Sequence, residues 1–252
     1  MDFRILNCAT FRPYFPPIAS TTNCLLVRSG GDMLLVDTGL GVRDRVTPTR
    51  FMSWFCRIGR VPSGPKEAAV HQIQALGFNP ANVKHIVLTH LHVDHAGGLP
   101  DFPEARVHVY KPEYEAALNA CGLAQILYRP EYWSRGPLWI VHEMKNVKGW
   151  FGFDSIPILS DGLFEVLLIP LVGHSAGHCG VAIKGDSKWV LHCGDALPFG
   201  GFETNPPEWI TRRLIGPYVE SLRRLAQEHQ DEIRFVSAHM PLSLGAPQSW
   251  FS

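Results

Sequence analysis

Charge of one sign is missing from this 252-residue chain: 23 Lys and Arg stand against 23 Asp and Glu, and no basic stripe or block of like charge disturbs the balance. Proteins that hold nucleic acid or anionic membrane electrostatically need such a footprint. Neither is therefore an expected partner, and a small, neutral or weakly charged substrate fits better. No run is long and apolar enough to span a bilayer, and the start MDFRILNCATFRPYFPP lacks the basic region and apolar stretch of a secretory signal. The cytoplasm is the expected location. CxxC spacing is absent too: Cys8, Cys24, Cys56, Cys121, Cys179 and Cys193 are scattered, which argues against a disulfide framework or zinc ribbon and for reduced, mostly buried thiols. There is no internal repeat, low-complexity tract or interdomain linker. A chain of this length without such seams reads as one domain, residues 1–252.

What is present reads as alternating strands and helices. NCLLV (23–27) and MLLVD (33–37) flank RSGGD, whose glycines suit a tight hairpin turn. KEAAVHQIQALG (66–77) spaces Ala69, Ile73 and Leu76 as a helix that Gly77 and Pro80 end. VKHIVLTH then reads as a buried strand. Further strands are expected at 106–110, 164–172, 178–184, 188–195 and 233–239, with a helix over about 208–229. Residues 111–162 show neither alternation nor helical period and are crowded with aromatics, prolines and glycines, so they read as an insertion.

The strand VKHIVLTH runs into LTHLHVDHAGG (88–98), with three histidines and an aspartate in six positions. His90 and His92 can converge once the strand gives way to a loop, and Asp94 and His95 follow on the way into a helix. Imidazole and carboxylate donors at this density suit zinc or another borderline divalent ion. They leave Mn and Fe open and disfavour Ca and Mg.

HLHVDH resembles the H-x-H-x-D-H signature of the metallo-β-lactamase superfamily. VDTG (36–39), VGHSAGH (172–178), HCGDA (192–196) and SAH (237–239) resemble its later motifs, in order along nearly the whole chain. The resemblance implies an α/β fold, a four-layer αβ/βα sandwich with two metal ions in a groove at one edge of the facing sheets. It implies that His90, His92 and His174 bind one ion, that Asp94, His95 and His239 bind the other, and that Asp195 bridges them. His178 is expected beside the ligands rather than among them, and Asp37 is expected to hold groups near the ions. Gly97 and Gly98 are expected to turn the chain tightly behind the ligands. His71, His85, His108, His142 and His229 lack clustered partners in the sequence and read as ordinary surface or core residues, with His192 less certain.

Two such ions, about 3.5–4 Å apart, can share a water, lower its pKa and present hydroxide as the nucleophile for hydrolysis. Asp94 would both bind an ion and move a proton. The aspartate at 195 resembles hydrolases of esters, lactones, thioesters and phosphoesters more than true β-lactamases, which usually carry Cys or Ser there. The resemblance extends to acyl-homoserine lactonases, with one departure: Pro198 stands where many of them have a tyrosine. Tyr128 and Tyr132 are candidates for the missing hydroxyl, and with Trp133 they are the expected substrate pocket, in a lid formed by the insertion. A phosphoesterase, a thioesterase, a one-iron persulfide dioxygenase and a non-catalytic metal-binding module stay open as alternatives.

Overall fold

The computed structural model describes residues 1–252 apart from 16–18, 123, 131–132, 134–136, 206, 241–249 and 252. β1 (Asp2–Phe11), β2 (Ser20–Ser29), β3 (Asp32–Val36), β4 (Val83–Val87), β5 (Arg106–Tyr110) and β6 (Leu138–His142) form the first sheet in that order. Its first three strands pair antiparallel and β3 to β6 pair parallel. β7 (Lys148–Trp150), β8 (Phe153–Ser160), β9 (Glu165–Pro170), β10 (Cys179–Lys184), β11 (Trp189–His192) and β12 (Ile233–Val236) form the second sheet, in the order β12-β11-β10-β9-β8-β7.

The continuous apolar run of β2 has a simple cause, since both faces of its sheet are covered. Leu25 and Val27 point into the space between the sheets, where they meet Val166, Leu168, Val181, Ile183 and Val190 of the second sheet. Cys24 and Leu26 point the other way, into a cluster with Ile73 of helix Ala69–Ala75 and Ala117 of helix Lys111–Leu118. Leu167, Ile169, Ala182 and Leu191 cover the far face of the second sheet together with Leu222 and Leu225 of helix Val219–Glu228. The result is the αβ/βα sandwich of four layers. Each fully buried Leu, Ile or Val side chain in it contributes about 1.5–3 kcal/mol through area removed from water.

Several elements depart from the sequence expectations. Strand β1 has no counterpart there, because a register shift between Asn7 and Ala9 interrupts its alternation. Residues 111–162 are not external to the sandwich: they contain helix Lys111–Leu118, complete the first sheet with β6, and begin the second with β7 and β8. The expected helix over 208–229 breaks into Glu208–Ile210, a π-helical Thr211–Ile215 and Val219–Glu228, parted at Gly216 and Pro217. The two-residue turn Gly30–Gly31 does join β2 to β3, with Ser29 opposite Asp32 and Gly30 at φ 59°. All six cysteines are free. No helix among the described residues is long and apolar enough to cross a membrane.

The two sheets are stitched together at one end. The backbone N–H of Cys179 donates to the Thr89 carbonyl at 2.9 Å, and that of Asn23 donates to the Ala238 carbonyl at 2.8 Å. The Asn23 amide also donates to the carbonyls of Ser237 and Met240. Loops from β4, β9, β11 and β12 therefore converge where the two sheets meet.

Candidate metal centre

Four loops bring seven candidate ligands together. His90, His92, Asp94 and His95 follow β4, His174 follows β9, Asp195 follows β11 and His239 follows β12. Donor atoms of His90, His92 and His174 lie within 4.8 Å of one another, as do those of His90, His95 and Asp195, and those of Asp94, His95 and His239. His174 Nε2 is 3.1 Å from His92 Nδ1 and 3.3 Å from Asp195 Oδ2. Asp195 Oδ2 is also 3.0 Å from His239 Nε2, so one carboxylate touches both groups.

The outward nitrogens fix how the inward ones are presented. His95 Nδ1 donates to Asp37 Oδ2 at 2.8 Å, His239 Nδ1 donates to the Thr21 carbonyl at 2.7 Å, and His174 Nδ1 donates to the Leu214 carbonyl. His90 Nδ1 meets the Thr89 hydroxyl at 3.0 Å. In each case Nε2, with its lone pair, is left facing the centre. Asp37 does this from a left-handed backbone at φ 58°, and its carboxylate also accepts the Thr89 N–H and hydroxyl, each at 2.8 Å. Gly98 has an ordinary φ of −84°, so it is not a turn requirement. Its role is space: a Cβ there would lie 2.8 Å from the Thr38 carbonyl oxygen.

The donor set fits divalent ions on an observation independent of motif. His90 Nε2, His95 Nε2 and Asp195 Oδ1 are buried without a hydrogen-bond partner among the described residues, although His95 Nε2 and Asp195 Oδ1 are 3.2 Å apart. That separation lacks hydrogen-bond alignment. Buried polar atoms left unpaired are costly, and three of them aimed at one point ask for a cation. Burial pushes His90 and His92 well below the usual imidazole range, which keeps them neutral and able to donate lone pairs. Burial alone would raise the Asp195 carboxyl, yet His239, His95 and His174 around it hold it well below the usual carboxylate range.

His178 and His192 are not free to bind. His178 Nδ1 donates to the Leu171 carbonyl at 3.2 Å, and its Nε2 accepts the Asp195 N–H at 2.9 Å. Burial lowers His178 to about 3, which keeps that nitrogen an acceptor. His192 Nε2 donates to the Asn23 carbonyl and its Nδ1 accepts from the Gly194 N–H.

The expected pocket residues scatter. Tyr128 is buried with its ring 5.1 Å from that of His92, and burial raises its phenol above the usual range, with the Glu113 charge adding to the rise. Trp133 lies in the outer cluster of the first sheet, against Tyr114 and Trp139. Trp150, Phe151 and Phe153 pack on the outer face of the second sheet. Core packing therefore accounts for these aromatics, where a lid was expected. Tyr132 lies outside the described residues. The centre opens instead beside Asp94 and His174, whose side chains are 18 % and 19 % exposed, while His90 is fully buried. The ring of half-exposed Phe199 lies 5.1 Å from that of His239, tilted by 41°.

Sequence reading did not find Glu113, Phe199 or the carbonyl of Leu214. Their partners lie tens of residues away, and no local motif marks them. It also read His85, His108 and His142 as unclustered, whereas they form a hydrogen-bonded row across β4, β5 and β6.

Comparisons with known proteins agree with this geometry. Residues 18–235 match the family model of the metallo-beta-lactamase superfamily. A probable metallo-hydrolase of Mycobacterium tuberculosis is 40 % identical over 94 % of this chain and 79 % of its own. An N-acyl homoserine lactonase of Rhizobium radiobacter is 29 % identical over 86 % of this chain and 80 % of its own. Among solved structures, an N-acyl homoserine lactone hydrolase with the product N-hexanoyl-L-homoserine at its catalytic metal centre superposes with a TM-score of 0.70 at 20 % identity, covering 98 % of this chain and 96 % of that one.

Proposed function

The chain belongs to the metallo-β-lactamase superfamily, and from that premise we propose that it is a two-ion metallohydrolase of small esters or lactones, with acyl-homoserine lactones among its substrates. One observation carries the reading: all seven ligand-type side chains converge, and Asp195 spans the two groups they form. Zinc suits the mixed imidazole and carboxylate donors, and Mn or Fe could replace it.

His90, His92 and His174 would hold one ion, and Asp94, His95 and His239 would hold the other. Bound divalent ions supply Lewis acidity and bring the pKa of a water to near neutral. The protein's own part is to place the donors, exclude bulk water and carry protons. Asp195 is kept ionised and is oriented through the bond from its N–H to His178. Asp94 stands at the opening with Thr22 Oγ1 3.4 Å from its Oδ2, and its other oxygen, Oδ1, takes up and releases the proton. The Tyr128 phenol is buried and burial holds its proton on, so it is a poor replacement for the tyrosine that Pro198 displaces. Phe199 offers an apolar surface for the acyl part of a substrate.

The test is a panel of acyl-homoserine lactones, aryl esters, phosphoesters, thioesters and β-lactams, run on protein of measured metal content. Acid release from lactones or esters at two ions per chain supports the reading. Dioxygen consumption at one iron per chain, with no hydrolysis anywhere in the panel, would overturn it.

A further inference from the structure

We propose that Glu113 is a positioning residue for the His90, His92 and His174 half of the centre, holding both loops that carry these ligands through one carboxylate. This rests on the reading above only in taking those three histidines as an ion site. Glu113 sits in helix Lys111–Leu118 and is fully buried. Its Oε1 accepts the backbone N–H of Leu91, the residue between His90 and His92, at 2.9 Å. Its Oε2 accepts the Ser175 hydroxyl at 2.6 Å and the Gly177 N–H at 2.9 Å, on the loop that begins with His174. The Tyr128 ring lies against His92, 5.1 Å between centroids.

Every partner of this carboxylate is a donor, so the site requires an acceptor at both oxygens. An amide would turn an NH₂ group toward either the Leu91 N–H or the Gly177 N–H, and one buried donor would lose its partner. The fit is also close. A Cβ on Gly177 would lie 2.1 Å from the Glu113 backbone nitrogen, so the loop is seated directly on the helix start. A buried carboxylate is costly to keep, and this one is satisfied entirely by groups that flank ligands, not by the sandwich core. Losing it frees the spacing between His174 and the pair His90 and His92. Outer partners of metal ligands typically contribute about 10–100-fold in metal affinity.

The experiment uses the full chain loaded with cobalt(II) and, separately, zinc(II). Ions retained per chain are counted during chelator titration, alongside the visible cobalt spectrum. His174→Ala identifies which ion belongs to the three-histidine group. Glu113→Gln is expected to weaken that ion about 10–100-fold, leave the other at wild-type affinity and change the cobalt spectrum. Ser175→Ala should weaken the same ion by less. Wild-type affinity and spectrum in Glu113→Gln would overturn the proposal, as would equal weakening of both ions. If Glu113→Gln fails to fold, wild-type ion retention in Ser175→Ala overturns it instead. A wild-type protein that holds one ion overturns the two-ion reading but leaves the Glu113 comparison standing on the ion that His174→Ala removes.

Discussion

Two clusters of buried histidine occupy this molecule, and they differ in what their nitrogens face. In the row on β4, β5 and β6, His85 Nδ1 meets His108 Nε2 at 2.9 Å, and His108 Nδ1 meets His142 Nε2 at 2.9 Å. The rings of His108 and His142 stack 9° from parallel. Burial lowers all three, and His108 falls to about 3 with help from its two neighbours. This row satisfies itself. In the loop cluster, Nδ1 of His95, His174 and His239 is spent on outer acceptors, Nε2 of His90 and His95 has no hydrogen-bond partner among the described residues, and two aspartates stand among the rings. Histidine density alone does not mark a metal centre; unpaired lone pairs beside carboxylates do.

The contrast breaks or holds under substitution. Asp195→Ala should remove both ions and lower kcat by at least about 10³-fold, roughly 4 kcal/mol of barrier, whereas His108→Leu should leave metal content and kcat at wild-type values. Metal analysis with steady-state kinetics checks both, and metal loss in His108→Leu would erase the distinction.

Trp133→Ala should cost about 3–5 kcal/mol of stability in denaturant unfolding while leaving KM and acyl preference unchanged, because Trp133 packs against Tyr114 and Trp139. Altered selectivity at wild-type stability would restore it to the pocket.

Acid separates the clusters next. His108 titrates lower when folded than the usual imidazole, so between those values the unfolded chain binds more protons. Its contribution is therefore complete above about pH 6.5 and is lost progressively as pH falls toward 3. By pH 5 the loss is about 2 kcal/mol. Urea midpoints against pH should show this slope in the wild type and a shallower one in His108→Leu; equal slopes would contradict it. The smallest effect is expected from Phe199→Ala: a few-fold rise in KM, about 1 kcal/mol, with metal content and Tm unchanged.

The candidate ligands were legible because they are polar residues placed where apolar strand patterns stop, at His90, His174, Asp195 and His239. The sandwich was legible where strands are covered on both faces, as at 23–27 and 178–184. The strands of residues 138–160 were not: β6 to β8 are partly exposed, and Pro157 sits at a register shift in β8. The breaker that parts the expected helix over 208–229, Gly216 and Pro217, is visible in the sequence. The histidine row and Glu113 depend on which strands and loops become neighbours. His85 meets His108 only because β4 and β5 pair in parallel with Val87 opposite His108. No pattern confined to one segment encodes that.

The most direct test of the account is the number of ions per chain in purified protein, read by mass spectrometry for the wild type and for His174→Ala and His239→Ala. The account predicts close to two ions in the wild type and close to one in each variant, with a different ion lost from each. One ion per wild-type chain, unaffected by changing Asp94, His95 or His239, would contradict it.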